Sequence, residues 1–413
     1  MGILNSILAK KKKSYFSHRL ILDIGTEYLK AAIIEYNNDE KNILGFSRVK
    51  QDYGNMDGGA ITNIVGVVKT ARKAVKGAEN YTPYRPREMV SGIAGEFVKG
   101  VLISVKQARS NSDKKINYKE LNELIERGRK KAYQQALKKA AEETGVSDIK
   151  LELIHYSLVE VKIDGYRVNN PYQFQGNNLN IVVFYTFAPL VQLGAIRTIA
   201  RELNCKLVGT VAEPYAVAQG IMNNESYEFG AIIIDIGGGT TDIALIRKGG
   251  VEGTKMFAMG GRAFTRTLAR NLHVSLQEAE AIKLSYSKRK LSNNYKQVDK
   301  LIKGDLQILY QGIEFSLHEL AAGEPLPANI YFCGGGSGLK GLIEGFSILN
   351  LQECLPFIQK PLIKLLNGRN IAKISDNNRL LTGVEHTTPR SLALYGAKLD
   401  NYEGIVYLES KGI

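Results

Sequence analysis

Apolar and β-branched residues occur along this chain in short runs, and two pairs of runs are each joined by a glycine turn. In Gly230 to Arg247, the apolar residues Ala231 to Ile234 precede Asp235-Ile-Gly-Gly-Gly-Thr-Thr-Asp and a second β-branched run. Arg19 to Tyr36 repeats this order around Asp23-Ile-Gly-Thr. Apolar runs on both sides of a short turn predict two antiparallel strands, so we expect a hairpin at each place.

A third apolar run also ends in glycines. Ile330 to Cys333 is followed by Gly334-Gly-Gly-Ser, and the sequence up to Leu342 is typical of a helix start. Elsewhere in the chain, apolar residues that recur about every 3.6 residues predict helices, and apolar residues that alternate with polar ones predict strands. We expect helices at 58–78, 113–145, 191–203, 275–287, about 298–320 and 388–399, and strands at 43–49, 89–94, 98–105, 149–163, 179–187 and 206–211.

Glycine turns suit phosphate binding, because a backbone without Cβ atoms can bring several N–H groups close to a ligand. An aspartate at the end of a buried strand, such as Asp235, suits a hydrated Mg²⁺ ion, which takes one or two carboxylates besides phosphate oxygens and water. A glycine-rich hairpin without a ligand has the same local sequence, so a single copy does not distinguish the two. The second copy, at Asp23, favours a phosphate site.

Composition limits the class of protein. The 413 residues exceed what one hydrophobic core usually supports, so we expect two or more domains. The net charge of +14 indicates an anionic partner, which could be nucleic acid, acidic lipid or an acidic protein surface. Because the sequence has neither ribonucleoprotein aromatics nor zinc-type Cys/His spacing, we expect no nucleic acid. Cys205, Cys333 and Cys354 all lie in apolar sequence and predict buried thiols in a reducing cytosol.

Residues 1–18 combine helical spacing with positive charge. The apolar residues Ile3, Leu4, Ile7 and Leu8 precede Lys10 to Lys13 and two aromatic residues. A basic amphipathic segment can lie on an anionic membrane, so one interpretation is that residues 3–16 bind lipid. A disordered, solubilising tail is the equal alternative. The longest apolar runs are far short of the ~18 residues that span a bilayer, and we expect a cytoplasmic protein.

The two Asp-Ile-Gly hairpins, followed by a strand and a triple-glycine turn, resemble the actin, Hsp70 and sugar-kinase ATPase superfamily. The resemblance implies a duplicated α/β fold in which the hairpins hold the phosphates of ATP from opposite sides. It also implies ATP and Mg²⁺ as cofactors, with Asp23 and Asp235 directed at the metal. The nucleotide-contacting residues that it implies are Asp23, Gly25, Thr26, Lys30, Asp235, Gly237, Gly238, Gly239, Thr240, Thr241, Gly260, Gly261, Glu280, Lys283, Gly334, Gly335, Gly336 and Ser337.

Two further assignments rest on this resemblance and have structural alternatives. Glu213 matches an acidic residue that helps to position metal and water, so we expect it to be the catalytic residue. A helix start with Pro214 at its first position would have the same sequence. Glu280 and Lys283 match a Glu-x-x-Lys pair that contacts ribose and adenine, but an ordinary surface ion pair one helical turn apart would look the same.

The segment 88–187 lies between the two hairpins, where the FtsA family of actin-like division proteins has an inserted subdomain. Its order of strand, helix and strands predicts a small α+β subdomain, which the resemblance makes SHS2-like. The expected plan is an N-terminal segment 1–18, subdomain 1A at 19–87 and 188–212, subdomain 1C at 88–187, subdomain 2A at 213–259 and 330–400, subdomain 2B at 260–329, and a tail at 401–413.

Two features of the ends differ from the FtsA pattern. FtsA usually ends in an amphipathic helix that binds membrane, whereas residues 403–413 are short and strand-like. We expect residues 3–16 to replace that anchor. A lysine-rich N-terminus just ahead of the first hairpin is more similar to PilM, a pilus-assembly relative with the same subdomain.

The resemblance implies a nucleotide-switched scaffold that forms filaments at the inner face of the cell membrane and binds the C-terminal tail of the tubulin-like division protein FtsZ. The PilM resemblance implies instead a cytoplasmic platform for type IV pilus assembly. A kinase on the same fold needs a carboxylate base in the cleft, and no separate motif for one occurs. Because Glu213 is the only plausible water-positioning carboxylate, we expect at most slow ATP hydrolysis.

Overall fold

The computed structural model describes residues 16–399 apart from 38–39, 96–97, 147, 223, 248–249 and 292. The strands are β1 (Phe16–Ile24), β2 (Tyr28–Asn37), β3 (Glu40–Lys50), β4 (Met56–Asp57), β5 (Ala60–Ile61), β6 (Glu88–Ile93), β7 (Lys99–Ala108), β8 (Leu151–Ile163), β9 (Tyr166–Arg167), β10 (Asn178–Pro189), β11 (Lys206–Ala212), β12 (Ala231–Ile236), β13 (Thr241–Arg247), β14 (Gly250–Phe257), β15 (Asn329–Cys333) and β16 (Leu362–Leu365). The helices are α1 (Ile64–Glu79), α2 (Tyr118–Thr144), α3 (Leu190–Glu202), α4 (Glu213–Ile221), α5 (Asn224–Phe229), α6 (Gly261–Leu272), α7 (Leu276–Ser287), α8 (Tyr295–Ala321), α9 (Leu342–Ser347), α10 (Leu351–Cys354) and α11 (Thr387–Lys398).

Two five-stranded sheets share one strand order, which is the sign of an internal duplication. One sheet has the order β11-β6-β1-β2-β3 and the other has the order β16-β15-β12-β13-β14. In each sheet three consecutive strands form an antiparallel meander, and two later strands add in parallel beside its first strand. We call the first sheet with α1 and α3 lobe I, and the second sheet with α6 to α9 lobe II. The expected duplicated α/β fold is confirmed.

The start of α1 differs from the expected helix at 58–78. Gly58 and Gly59 have φ angles of 50° and 79° and form the turn of the small β4–β5 hairpin, so the helix begins only at Ile64. Left-handed backbone is accessible to glycine and interrupts a regular helix. Asn63 then caps α1, because its side chain accepts the N–H of Gly66 at 3.1 Å.

A small α+β layer lies within the segment 88–187, but β6, which was expected to belong to it, pairs with β1 and β11 in the sheet of lobe I. The sheet of the small layer has the order β7-β10-β8-β9, and α2 packs against it over a core of its own. Helix α2 begins at Tyr118 and not at the expected 113, because Ile116 exchanges backbone hydrogen bonds with Gln173 and Phe174. Asn117 caps the start of the helix through its side chain.

Helices α4 and α11 pack together between the two five-stranded sheets and join the lobes. The end of α11 is held by lobe I. Arg19 donates to the carbonyl of Gly396 at 2.5 Å, and the Tyr36 hydroxyl donates to that of Ala393 at 2.8 Å. Since both helices begin at the base of the cleft between the lobes, the first residues of each are placed to line it.

The structure tests the expected burial of the cysteines and the expected lack of a membrane-spanning helix. Cys333 is buried in β15, but Cys354 is exposed, so the expectation that all three thiols are buried is wrong. Leu351 in the short α10 and Leu355 directly after it are buried, whereas Cys354 lies on the outer side of the helix. Among the described residues, no helix is both long and apolar enough to cross a membrane. Residues 1–15, with most of the expected lipid-binding segment, and the tail 401–413 lie outside the described residues.

Candidate functional site

A cavity of about 560 Å³ lies between the lobes, where the turns of the two Asp-Ile-Gly hairpins face each other. The turn after β15 and parts of α6 and α7 complete its wall. The volume is within the range of about 300–1,000 Å³ that is usual for small-molecule sites. The three glycine turns singled out in the sequence therefore line one cavity, although they lie far apart in the chain.

The two hairpin turns touch, and two glycines permit the contact. A Cβ atom at Gly238 would lie 2.6 Å from the Cβ of Glu27, and one at Gly239 would lie 2.7 Å from the hydroxyl oxygen of Thr26. Both distances are shorter than real Cβ contacts, so a larger residue at either position would push the lobes apart. At these two glycines the absence of a side chain therefore allows the turn of lobe II to contact the turn of lobe I.

One part of the cavity wall is acidic: Asp23, Glu213, Asp235 and Asp242 line it together with Lys30. The ammonium of Lys30 lies 2.8 Å from Asp23 Oδ2. Asp235 Oδ2 accepts a hydrogen bond from the hydroxyl of Thr388 at 2.7 Å, which ties β12 to the start of α11. Both aspartates thus have their orientation set by a neighbouring side chain.

Asp242 was not among the residues that the sequence singled out. It lies directly opposite Asp235 in the β12–β13 ladder, so the two side chains occupy the same face of the hairpin. Its Oδ2 accepts the hydroxyl of Thr240 at 3.0 Å, while its Oδ1 is buried and has no hydrogen-bond partner in the part of the chain that is described. The sequence contained a signal for Asp242. Two residues at equal distances from the turn of an antiparallel hairpin lie opposite each other, so Asp242 could have been paired with Asp235.

Burial and mutual repulsion raise the pKa values of several of these groups. Burial, followed by the charge of Asp235, raises the pKa of Asp242 to about 8. Burial raises the pKa of Glu213 well above its ordinary value, and the charges of Asp23, Asp242 and Asp235 add to the effect. Burial likewise raises the pKa of Asp235. Burial opposes the charged form of Lys30, but the nearby Asp23 outweighs it and the pKa of Lys30 is raised.

This arrangement fits a cation bound together with phosphate. Among the described residues, no three His, Cys, Asp or Glu side chains lie close enough to hold a metal ion by themselves. Mg²⁺ does not require such a group, since one or two carboxylates usually suffice beside phosphate oxygens and water. The unpartnered oxygen of Asp242 and the carboxylates of Asp23 and Asp235 are donors of this kind.

Glu280 and Lys283 form an ion pair inside the cavity. The Lys283 ammonium lies 2.8 Å from Glu280 Oε2, and the two side chains are 12% and 18% exposed. Lys283 also donates to the carbonyl of Gly261 and to the hydroxyl of Thr265, each at 2.9 Å. The alternative interpretation of Glu280 and Lys283 as an ordinary surface ion pair is therefore excluded. The pair is partly buried, and Lys283 is hydrogen-bonded to the first residues of α6.

Most of the residues that the sequence singled out line the cavity: Asp23, Gly25, Thr26, Lys30, Glu213, Asp235, Gly237, Gly238, Thr240, Gly261, Glu280, Lys283, Gly334, Gly335 and Gly336. Gly239, Thr241, Gly260 and Ser337 are not part of the lining. The Thr241 hydroxyl donates to the carbonyl of Met259 at 2.8 Å, and the Ser337 hydroxyl donates to that of Cys333. These two hydroxyls hold the backbone around the site.

Other lining residues have no recognisable sequence signal. Thr388 and Glu385 come from the α11 region, and Arg48 comes from β3, where it lies 3.1 Å from Glu385. Glu27 and Arg262 line the cavity from opposite lobes. Each reaches the site only through the packing of segments that are distant in the chain.

Comparison with known proteins gives a consistent result. A family model described as "Cell division protein FtsA" matches residues 232–374. The FtsA of Neisseria meningitidis is 26% identical over 267 residues, which is 64% of this chain and 60% of that protein. The FtsA of Bacillus subtilis is 25% identical, over 63% of this chain and 56% of that protein. This chain therefore spans three fifths or less of these relatives' length.

Solved structures extend the comparison to nearly the whole chain. The PilM–PilN type IV pilus biogenesis complex contains a chain with a TM-score of 0.65 at 18% identity, covering 92% of this chain and 98% of that one. MreB5 of Spiroplasma citri bound to ADP has a TM-score of 0.50 at 13% identity, covering 94% of this chain and 98% of that one. At such low identity these likenesses establish the fold alone. The chain is thus similar to the cell division protein FtsA over part of its length and has the actin-like fold.

Proposed function

We propose that this protein is an ATP-binding, actin-like scaffold of bacterial cell division, which forms filaments on the inner face of the cell membrane and holds the C-terminal tail of FtsZ there. The observation that carries the proposal is the interlobe cavity, in which two glycine-turn hairpins face each other and the Glu280–Lys283 pair lies in the same wall. The match to FtsA over 64% of the chain supports the division role.

ATP would lie with its phosphates between the β1–β2 and β12–β13 turns. Backbone N–H groups in such turns suit phosphate oxygens, and the Lys30 ammonium offsets part of the negative charge. The adenosine would lie against Glu280, Lys283 and the glycine turn after β15. In this placement the nucleotide would contact all three glycine turns, and its polar groups would lie next to polar groups of the site.

Asp23, Asp235 and Asp242 are the residues that would hold a Mg²⁺ ion with the nucleotide. When bound, the ion neutralises negative charge on the phosphates. Thr388 fixes the orientation of Asp235, and Lys30 fixes that of Asp23. Glu213, at the first turn of α4, would orient an attacking water.

Hydrolysis should be slow, because phosphoryl transfer depends mainly on positioning and charge stabilisation. Glu213 is a single orienting carboxylate, and its pKa is raised well above the ordinary value by burial and neighbouring acids. A nucleotide switch is therefore the role that the site supports, in preference to a fast enzyme.

Sedimentation with vesicles tests the scaffold role. The full chain should pellet with vesicles that contain 30% phosphatidylglycerol in the presence of ATP, and it should carry a labelled FtsZ tail peptide into the pellet. Vesicles of phosphatidylcholine alone are the control. Failure to retain the tail peptide, with ATP binding intact, would contradict the division partner but not the nucleotide site.

A pilus-assembly platform is the second candidate function. The likeness to the PilM chain of the pilus complex covers 92% of this chain, whereas the FtsA of Neisseria meningitidis and that of Bacillus subtilis match over 64% and 63% of it. A pull-down in which the FtsZ tail peptide competes with the cytoplasmic tail of a pilus inner-membrane protein distinguishes the two. Retention of the pilus peptide alone would favour the second candidate.

A further inference from the structure

Arg262 and Glu27 form a partly buried ion pair between the lobes. Nε of Arg262 lies 2.6 Å from Glu27 Oε2, and the side chains are 9% and 16% exposed. Glu27 is the last residue of the β1–β2 turn in lobe I, and Arg262 lies in the first turn of α6 in lobe II. Both residues line the interlobe cavity.

The backbone of Arg262 is fixed on the second phosphate turn. Its N–H donates to the carbonyl of Gly238 at 2.7 Å, and the N–H of Gly261 donates to that of Gly237 at 2.9 Å. The side chain then reaches across to the first turn. Its guanidinium therefore lies between the two turns that, under the proposed function, hold the phosphates of ATP.

The lobe I partners of Arg262 are themselves held in place. Lys50 Nζ lies 3.3 Å from the other oxygen of Glu27, and the Glu27 carbonyl accepts the N–H of Gln51 at 2.9 Å. The ring of Tyr53 covers one face of the guanidinium, with its centroid 4.4 Å from Arg262 Cζ. These contacts restrict the guanidinium to one orientation at the cavity wall.

One nitrogen of this guanidinium lacks an acceptor. Nη2 of Arg262 is buried and has no hydrogen-bond partner among the described residues. An unsatisfied buried donor is costly, and the cost is larger for a charged group. Arginine donates through several N–H groups in a fixed fork, so it can bind Glu27 through Nε and a second anion through Nη2.

We propose that Arg262 contacts the terminal phosphate of a nucleoside triphosphate, with Glu27 as the positioning residue that holds it across the cleft. The inference rests on the proposed ATP site and adds its specificity for a triphosphate over a diphosphate. A diphosphate would leave Nη2 without its acceptor. The protein would then distinguish the triphosphate from the diphosphate through one lobe II side chain.

Calorimetric titration of the full chain with AMPPNP and with ADP, both with Mg²⁺, tests the proposal. A hydrogen bond to a charged group corresponds to roughly a 10- to 100-fold change in affinity. Arg262→Gln should therefore weaken AMPPNP binding by about that factor and ADP binding by less than about threefold. Arg262→Lys should give an intermediate loss, because it retains the charge but not the fork.

Two further variants separate the role of Arg262 from general effects. Glu27→Gln should also lower the ratio of AMPPNP to ADP affinity, since it frees the guanidinium without removing its charge. Arg266→Gln, one turn further along α6 and exposed, removes the same charge outside the cavity and should change neither affinity. Equal losses for both nucleotides in Arg262→Gln would show a structural latch only and would overturn the proposal. A wild-type chain that binds neither nucleotide would refute the proposed ATP site itself.

Discussion

Asp235 and Asp242 lie directly opposite each other across the β12–β13 hairpin, so two carboxylates share one face next to the turn that joins these strands. Within the described part of the chain, only one oxygen of Asp242 has a hydrogen-bond partner, the hydroxyl of Thr240. Such a pair is unfavourable without a ligand, because burial and the charge of Asp235 oppose ionisation of Asp242. The arrangement is typical of a site whose polar groups are completed by a bound cation.

Asp242→Asn should therefore stabilise the ligand-free protein and weaken Mg²⁺-dependent nucleotide binding. The amide cannot ionise, so the substitution removes the repulsion from Asp235 in a buried site. A change of this kind alters stability by about 1–3 kcal/mol, so the melting temperature should rise by several degrees. The affinity for ATP with Mg²⁺ should fall by about tenfold, while affinity in EDTA changes less. The exposed Asp57→Asn is the control and should alter neither quantity. A lower melting temperature for Asp242→Asn would contradict this account.

Lys283→Gln should weaken ATP binding without unfolding the protein. The lysine lies at the cavity wall, bound to Glu280 and to the start of α6, so its loss removes a charged donor from the proposed adenosine contact. We expect an affinity loss of about tenfold for both ATP and ADP in calorimetry. Lys290→Gln is a matched control, because this lysine follows α7, is exposed and is not among the residues lining the cavity. Equal affinities in the two variants would remove Lys283 from the site.

Glu213→Gln should abolish ATP hydrolysis and preserve ATP binding. The glutamine keeps the shape of the side chain but cannot accept a proton from water, and it relieves repulsion from the neighbouring aspartates. Phosphate release measured under single-turnover conditions should fall by at least about 100-fold. The wild-type rate should itself lie below the range of about 1–100 per second that is usual for kinases. A wild-type rate within that range would favour the kinase alternative.

His155 should make the fold sensitive to acid. Burial lowers the pKa of this histidine to about 3, both ring nitrogens lack partners among the described residues, and the ring packs against Tyr215 at 4.1 Å. Between pH 6.5 and 3 the unfolded chain binds a proton that the folded protein does not, so stability falls as pH decreases through this window. The contribution is up to about 1.4 kcal/mol per pH unit and is absent above pH 7.

The variant His155→Leu removes this proton uptake at nearly constant volume. Its melting temperature should decline less steeply than that of the wild type between pH 6.5 and 4, and the two curves should run parallel at higher pH. Because carboxylates titrate in the same range in both proteins, the difference between the curves isolates the histidine. If the melting temperatures of the two proteins decline equally with decreasing pH, protonation of His155 does not destabilise the fold.

Deletion of residues 1–14 should abolish sedimentation with anionic vesicles while leaving ATP affinity unchanged. Each of Lys10 to Lys13 adds about 1 kcal/mol near an anionic surface, less at high salt, and filament formation multiplies many weak anchors. Added salt should therefore also reduce sedimentation of the full chain. If the shortened protein sediments as well as the full chain, the anchor lies elsewhere or attachment is through a partner.

Local sequence patterns determined much of this architecture. Each hairpin follows from apolar runs around a glycine turn, and the helices at α7 and α8 follow from periodicity together with local caps such as Ser275. These features depend on interactions between residues close in the chain, which is why they can be predicted from it. The start of the inserted layer could not be predicted in this way, because β6 resembles the strands that follow it and only its pairing with β1 and β11 places it in lobe I.

The tertiary structure alone decided how the site is completed. Thr388 orients Asp235 from a helix 153 residues away, and Arg262 reaches Glu27 over 235 residues. No local preference encodes such contacts, because they arise only when two lobes pack around a shared cleft. Packing also set the exposure of Cys354 and the late start of α2 at Tyr118. The sequence by itself determined the strands and turns that can hold a phosphate, whereas the packing of the lobes determined which side chains face it.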